Sequence, residues 1–384
     1  MNVCLPDIRS AVRIDCQGLG SLITALGRRG YQTIGPRVKD GAICYAPIEG
    51  IDDLPIGWTS EQGPASYRLK RRTDAALFGF ANGPNSLKDF IHPSEIKLFS
   101  ATPDNSAFRI LPNTEPAPRY AFLGIRACEL AAAGLQDRVL LGGHYSDPVY
   151  RARRSNAFII AVQCSEPSAV CFCTSMGTGP SATSGFDLAL TELVGPGAHE
   201  FVIEVGSELG AELLSEIEFS DASSQLREQA RDVSLAAEAA IQRRLDTTGL
   251  RELLRDNFDH PQWDNIAQRC LACGNCTQVC PTCFCVTVED STDVAGAEAE
   301  RRRKWDSCFS LGFSYIHGGS VRVSTKSRYR QWLSHKLSYW HDQFGSSGCV
   351  GCGRCIAWCP VGIDLTEETA AIRAADGATA RGAT

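Results

Sequence analysis

The chain has 384 residues, of which 43% are hydrophobic and 21% are charged, a composition typical of a folded protein long enough for two domains. The formal net charge of −6 gives no indication of binding to nucleic acid. Eighteen cysteines are unusual in a chain of this length. Because they crowd into metal-ligand spacings, they favour a reducing compartment over a secreted disulfide framework.

Targeting and membrane signals are not evident in the sequence. Residues 1–30 lack a basic start followed by an apolar run, and no twin-arginine signal precedes the first cysteine. No run of eighteen or more apolar residues occurs. We therefore expect a cytoplasmic protein with no membrane segment and no nucleic-acid partner.

Helical and strand patterns alternate through the first 258 residues. The predicted helices are 18–29, 128–135, 206–217, 223–245 and 250–257. The predicted strands are 31–34, 41–48, 119–125, 156–162, 186–194 and 200–205. The stretch 52–118 is rich in Pro and Gly, which indicates short strands joined by long connections. The pattern predicts an α/β (α+β) N-terminal domain over 1–258.

Cysteines follow two of the predicted buried strands. Cys128 lies just after the first of them, Cys164 comes directly after the second, and Cys171 and Cys173 follow soon afterwards. Because α/β proteins place functional groups at strand ends, these four cysteines could ligate an additional [4Fe–4S] cluster. The alternative is four small buried hydrophobic side chains, since free cysteine is among the most buried residue types. The C-x-C spacing lies outside the usual ferredoxin runs, so spacing alone leaves both interpretations open.

A second domain is predicted over 259–366 because the pattern C-x2-C-x2-C-x3-C-P occurs there twice. In bacterial ferredoxins three cysteines of such a run hold one [4Fe–4S] cluster and the fourth reaches the other cluster. Cluster 1 is therefore assigned to Cys270, Cys273, Cys276 and Cys359. Cluster 2 is assigned to Cys349, Cys352, Cys355 and Cys280. Structural zinc is the main alternative, but zinc sites usually use two C-x2-C pairs or mixed Cys/His ligands around one ion.

The second domain is predicted to be mostly helical and ferredoxin-like, with a long insertion, 286–348, between the two cysteine runs. The insertion contains the basic run 301–304, and Asp306 is the only acid between Arg301 and Trp340. The simpler interpretation is a solvated helical face. The alternative is a docking or charge-compensating surface, because cysteine-ligated clusters are anionic. The Ala/Thr-rich end, 367–384, is predicted to be a flexible tail.

Several cysteines and histidines have no assigned role. The histidines of the insertion, His317, His335 and His341, have no metal-ligand spacing and are interpreted as surface or packing residues. Cys283, Cys285 and Cys308 could be buried, could be alternative ligands at cluster 1, or could be redox-active thiols. The isolated cysteines Cys4, Cys16 and Cys44 are interpreted as structural.

Signatures of substrate chemistry are absent from the sequence. It contains no convincing Rossmann fingerprint, P-loop or H-E-x-x-H motif, and no recognisable nucleophile elbow. A chain with several predicted clusters and no evident substrate site is best explained as an electron conduit, and we predict no catalytic residue.

Three motifs resemble the beta subunit of sulfhydrogenase-type NAD(P)-linked [NiFe] hydrogenases. They are GIRACEL at 124–130, CFCTSMGTGP at 171–180 and RCLACGNCTQVCPTCFC at 269–285. The iron–sulfur A subunit of anaerobic sulfite reductase is similar and belongs to the same family. The resemblance covers about 18–364, with the motifs in family order.

The resemblance implies an electron-transfer subunit of a heteromeric oxidoreductase. The expected partners are a gamma-type subunit that carries FAD and the NAD(P)H site, and the small and large subunits of a [NiFe] hydrogenase. A sirohaem sulfite reductase subunit is the alternative catalytic partner. The resemblance also favours a third cluster at Cys128, Cys164, Cys171 and Cys173. A third hypothesis is a stand-alone ferredoxin-like carrier or thiol redox sensor, with Cys283, Cys285 and Cys308 as the switch.

Overall fold

The computed structural model describes residues 5–105, 107–113 and 116–382. Its strands are β1 (Ala11–Asp15), β2 (Gln32–Lys39), β3 (Ala42–Pro47), β4 (Trp58–Gly63), β5 (Ser66–Arg71), β6 (Glu95–Asp104), β7 (Ala107–Pro112), β8 (Tyr120–Ile125), β9 (Phe158–Val162), β10 (Leu188–Gly195), β11 (Ala198–Val205), β12 (Ser220–Asp221), β13 (Val286–Thr292), β14 (Ala299–Trp305), β15 (Tyr315–Ile316) and β16 (Gly319–Ser320).

Its helices are α1 (Cys16–Arg28), α2 (Lys88–Ile91), α3 (Ala127–Leu140), α4 (Pro148–Ser155), α5 (Cys173–Met176), α6 (Glu208–Leu214), α7 (Ser224–Ala240), α8 (Leu250–Asp256), α9 (Gln262–Arg269), α10 (Asn275–Gln278), α11 (Thr325–Ser334), α12 (Trp340–Phe344), α13 (Arg354–Ala357) and α14 (Leu365–Gly382). Two 3₁₀ turns, Ile51–Asp53 and Gly312–Ser314, and a π-helix, His335–Tyr339, complete the helical segments described. Within the described ranges, no helix is long and apolar enough to cross a membrane.

An eight-stranded mixed sheet organises the N-terminal region, with strand order β12-β1-β11-β10-β9-β8-β2-β3. Its centre, β10-β9-β8-β2, is parallel, whereas the flanking pairs are antiparallel. Every residue of β9 is buried, as expected for a central strand covered on both faces. The sequence prediction of a mixed α/β region is confirmed.

Helix α1 packs on this sheet because its apolar residues recur on one face. Leu19, Leu22 and Leu26 are fully buried in the core beneath it. The side chain of Asp15 begins the helix by accepting a hydrogen bond from Gly18 N at 2.8 Å. The predicted helix 18–29 is therefore present with shifted ends.

The first part of the insertion is a β-hairpin and not a helix. Strands β13 and β14 pair in register Val286↔Trp305, and β14 also pairs with β6 of the N-terminal region in the four-stranded order β13-β14-β6-β7. The interpretation of 301–304 as a helical face was wrong. The basic side chains of 301–304 instead pair with acids on neighbouring strands, as in Lys304–Glu289 and Arg302–Glu95.

The segment after residue 364 forms helix α14, in the place where the sequence predicts a tail from residue 367, and the flexibility of that tail stays a prediction. Its first turn is held by Asp364, whose Oδ1 accepts from Thr366 N at 2.9 Å. Glu368 pairs with Arg269 at 2.6 Å, and Ile372 is fully buried. These contacts tie the start of α14 to α9, directly before the first cysteine run. The domain boundary near residue 258 stays a prediction.

Candidate iron–sulfur sites

The two cysteine runs have the same local backbone. Ala272 and Gly351 occupy equivalent positions and have φ angles of 52° and 64°, and the equivalent pair Gly274 and Gly353 has φ angles of 78° and 75°. A short helix, α10 or α13, begins at the same point within each run and contains the third cysteine of that run. In both runs the backbone N–H at the first of these positions donates a hydrogen bond of 3.4 Å to the Sγ of the first cysteine. The repeated spacing is therefore a repeated structure.

The four cysteines predicted for cluster 1 line one cavity: Cys270, Cys273, Cys276 and Cys359. Cys355 reaches the same cavity from the second run. Burial, and then neighbouring cysteines, raises the pKa of Cys276 well above its ordinary value, and Ile363 N donates to Cys359 Sγ at 3.3 Å. Such N–H···S bonds are a means by which proteins tune the potential of a bound cluster.

Two buried donors beside this cavity indicate what could occupy it. Tyr329 Oη and Trp332 Nε1 have no hydrogen-bond partner among the described residues, although each side chain is 4% exposed and lines the cavity. A buried donor without an acceptor is costly. A [4Fe–4S] cluster would bring sulfur acceptors into the cavity, so the residues present fit this cofactor.

The four cysteines predicted for cluster 2 lie close enough together that burial, and then Cys349, Cys352 and Cys280, raise the pKa of Cys355 well above its ordinary value. Lys336 lies against Cys280. Lys336 Nζ is 3.2 Å from Cys280 Sγ, and Thr282 Oγ1 is 3.1 Å from the same sulfur. Burial by itself lowers the pKa of Lys336, but the charges of Cys280, Cys283 and Cys349 outweigh burial and raise it well above its usual value. Within the part of the chain described, no carboxylate pairs with this lysine. An anionic cluster would supply the missing negative charge.

The four cysteines of the possible third cluster line one further cavity: Cys128, Cys164, Cys171 and Cys173. Two of them accept or share hydrogen bonds, Cys128 Sγ from Asn82 Nδ2 at 3.2 Å and Cys171 Sγ with Ser168 Oγ at 3.1 Å. Burial, followed by the neighbouring cysteines, raises the pKa of Cys173 to about 12. Iron would therefore have to displace protons from these thiols on binding.

The buried side chain of Arg126 indicates what kind of cofactor the third cavity could hold. It is 2% exposed and lines the cavity, and its terminal nitrogens donate to backbone carbonyls, including those of Phe78 at 2.6 Å and Gln163 at 2.8 Å. Its Nε has no partner, and in the described ranges its guanidinium forms no salt bridge. A buried cation without a carboxylate favours an anionic occupant, as a thiolate-ligated cluster would be.

The second cysteine run, which supplies three of the four cysteines predicted for cluster 2, reaches the cavities of both other sites. Cys352 lines the third cavity together with its four cysteines, and Cys355 lines the first. The backbones touch as well, because Phe172 N donates to Gly351 O at 2.9 Å. A Cβ added to Gly353 would lie 2.4 Å from Val170 O, so only glycine allows this approach.

A buried ion pair, not identified from the sequence, connects the second run to α3. Arg354 Nη2 lies 2.7 Å from Glu129 Oε1, and the side chains are 1% and 0% exposed. Tyr45 Oη donates to the other oxygen of Glu129 at 2.7 Å. Both charged residues stand next to predicted cluster ligands, Cys355 and Cys128. That adjacency was the only signal available in the sequence.

The remaining candidates lie elsewhere. Cys283, Cys285 and Cys308 line a separate cavity, and Cys16 and Cys44 are half-buried and distant from the cysteine runs along the chain. Cys4 lies outside the described residues. His335 packs against the rings of Phe284 and Trp340, which also contact each other. Among the residues described, no three His, Cys, Asp or Glu side chains converge on a point suited to a single metal ion; in a cubane each thiolate binds a different iron.

Comparison with known proteins agrees with this arrangement. Residues 269–363 match the family model described as a 4Fe-4S dicluster domain. The fold and the cysteine runs therefore define an iron–sulfur protein with two ferredoxin-type motifs beside an α/β region. The chain is 34% identical over 284 residues to "Sulfhydrogenase 2 subunit beta" of Pyrococcus furiosus. The matched region covers 72% of this chain and 82% of that relative. The chain belongs to the family of sulfhydrogenase beta subunits, and the resemblance drawn from its motifs is confirmed. Members of this family are iron–sulfur, electron-transport subunits of an oxidoreductase.

Proposed function

We propose that the chain relays electrons through three [4Fe–4S] clusters between an FAD- and NAD(P)H-binding gamma-type subunit and the small and large subunits of a [NiFe] hydrogenase. The observation that carries the proposal is the contiguity of three cysteine-lined sites through Cys352 and Cys355. Electron tunnelling needs redox centres in series with little chain between them. The chain itself then has no catalytic residue.

The ligands of this proposal are three sets of four thiolates. Cluster 1 takes Cys270, Cys273, Cys276 and Cys359; cluster 2 takes Cys349, Cys352, Cys355 and Cys280; cluster 3 takes Cys128, Cys164, Cys171 and Cys173. The clusters supply one-electron redox chemistry when bound. The chain's own residues hold them, exclude water and place Arg126 and Lys336 as compensating cations.

Cluster 1 is the best candidate for electron exchange with a partner subunit. Cys273 is exposed, and the neighbouring Leu271 is 64% exposed. An apolar side chain beside a redox centre at the surface is suited to docking another protein. The other two sites are enclosed by the second run and the α/β region, which suits intermediate positions.

A reducing, cytoplasmic setting is part of the proposal. The cysteines of the described ranges form no disulfide, although many lie close together. FAD and NAD(P) would reside on the partner, since the sequence contains no convincing nucleotide fingerprint.

Anaerobic purification of the tagged full chain, followed by mass spectrometry of whatever co-purifies, tests this function. We expect a flavin subunit and a nickel–iron large subunit in stoichiometric amounts. A sirohaem subunit in their place would instead identify a sulfite reductase relay. A chain that purifies alone, monomeric and loaded with iron, would contradict the subunit role and favour a free carrier.

A further inference from the structure

A second group of cysteines lies at one cavity that the three proposed clusters do not use. Cys283, Cys285 and Cys308 all line a cavity of about 590 Å³ between the first cysteine run and α11. Aromatic side chains, including Phe284, Phe313 and Trp340, form much of its wall. Three thiols at one cavity are more than the isolated buried cysteines expected by chance.

The β13–β14 hairpin explains why these cysteines meet. Cys285 directly precedes β13, and Cys308 follows the end of β14 by three residues. The first pair of the hairpin is Val286↔Trp305, and Asp306 N donates to Cys285 O at 2.9 Å. The strands thus return Cys308 to Cys285, and both cysteines line the same cavity.

The cavity is built for an anion. Arg322 and Lys336 line it, and no Asp or Glu is among its lining residues. A further cation, Lys88, is 3% exposed, with its Nζ 3.6 Å from the centroid of the Trp305 ring. Burial lowers the pKa of Lys88, and the nearby Cys283, Cys280 and Asp89 oppose that effect. In the structure as described, neither lysine pairs with a carboxylate.

The π-helix His335–Tyr339 turns two more functional side chains toward this space. A π-turn inserted into a helix changes which residues face a given side, and such turns recur at functional sites. Here His335 and Lys336, consecutive in sequence, both line the cavity. His335 Nε2 lies 3.2 Å from Gln343 Oε1, so the imidazole is held in one orientation.

We propose that Cys283, Cys285 and Cys308 hold a fourth iron–sulfur cluster through three thiolates. Three thiolates around one cavity suit a cluster whose irons each take one thiolate. Each thiol loses its proton to solvent on binding iron. The fourth iron has no cysteine here, and His335 is the lining residue with a metal-ligand nitrogen.

The fourth cluster would be a branch of the proposed relay, next to cluster 2. Lys336 lines the cavity beside Cys283, and its Nζ lies 3.2 Å from the Sγ of Cys280, a proposed ligand of cluster 2. The new centre therefore lies next to cluster 2. With one iron not bound to cysteine and facing an open cavity, it is suited to exchange electrons with, or bind, a small external ligand.

Metal analysis of the full chain tests this site. Wild type and the triple variant Cys283→Ala, Cys285→Ala, Cys308→Ala are purified anaerobically in parallel, and iron, acid-labile sulfide and zinc are measured per chain. We expect the triple variant to lose about four irons and four sulfides and to retain about twelve irons. The matched control Cys16→Ala, Cys44→Ala should lose none. Equal iron in wild type and triple variant, or loss of zinc in place of iron, overturns the proposal.

Thiol labelling provides a second measurement that needs no variant. The native anaerobic protein is treated with iodoacetamide and the modified cysteines are identified by mass spectrometry. Cys283, Cys285 and Cys308 should stay unmodified until the clusters are removed with acid. Alkylation of all three while iron is retained, or a Cys283–Cys285 disulfide, contradicts the fourth cluster. In that outcome a wild-type content of about twelve irons would leave the three-cluster relay standing.

Discussion

Lys336 Nζ lies 3.2 Å from Cys280 Sγ and 3.1 Å from Thr282 Oγ1, in a position where the lysine is only 5% exposed. A buried ammonium is costly unless negative charge lies nearby. At this position the negative charge is that of the proposed cluster 2 ligands. Lys336 should therefore stabilise the reduced, more negative form of cluster 2.

Replacing this lysine tests that electrostatic role. In Lys336→Met the potential of cluster 2 should fall by roughly 65–130 mV, since a hydrogen bond to a charged group contributes about 1.5–3 kcal/mol and about 1.4 kcal/mol corresponds to about 59 mV for a one-electron couple. Redox titration followed by electron paramagnetic resonance measures the shift. Lys326→Met on α11, whose lysine pairs with Asp264, is the matched control and should leave the potential unchanged. An unshifted potential in Lys336→Met would show that the lysine does not act on a cluster.

Single ligand replacements should separate relay from flavin chemistry. Cys273→Ala or Cys352→Ala removes one proposed ligand and should abolish nucleotide-linked turnover by the complex. The flavin subunit's reduction of an artificial dye by NAD(P)H should remain, because that reaction does not pass through this chain. Each variant should also lose about four irons per chain. Turnover at the wild-type rate in either variant would rule out the conduit function.

Breaking the buried ion pair Arg354–Glu129 should destabilise the protein far more than breaking an exposed ion pair. Glu129→Gln leaves Arg354 charged and fully buried, which should lower the free energy of unfolding by about 3–5 kcal/mol. The exposed pair Lys70–Glu61 offers the control, because Glu61→Gln removes a charge at the surface and should cause no measurable loss. Anaerobic guanidinium unfolding compares the two variants. Equal stability of both would mean that the buried pair does not hold the second run against α3.

Replacing each of two glycines that share a backbone conformation distinguishes the steric clash of an added Cβ from backbone strain. Gly353 and Gly345 have φ angles of 75° and 71°, but a Cβ would lie 2.4 Å from Val170 O at Gly353 and would meet nothing within 4 Å at Gly345. Gly353→Ala should therefore destabilise the protein by about 1–3 kcal/mol more than Gly345→Ala. It should also speed iron loss in air, because the second run can no longer pack on the third site. Parallel loss rates in the two variants would contradict that packing role.

Local patterns predicted much of this protein correctly. The two cysteine runs determine their own backbone, since the left-handed positions and short helices depend only on residues within each run. The buried strands 119–125 and 156–162 were evident because continuous apolar runs have few alternatives when both faces are covered. The basic run 301–304 was misread because four like residues carry no periodicity that would separate a helix from a strand.

Contacts between residues far apart in the chain were decided only by the tertiary structure. The pairs Glu129–Arg354 and Cys280–Lys336 are separated by 225 and 56 residues, and no spacing rule relates them. The gathering of Cys128, Cys164, Cys171 and Cys173 depends on the parallel order of β8 and β9, and that of Cys285 and Cys308 depends on the hairpin. The sequence alone singled out the two cysteine runs as candidate iron ligands, because spacing within a run is local. The folded chain decided which cavities those residues line and which buried cations face them, because those positions are set by strand pairing and core packing over long distances.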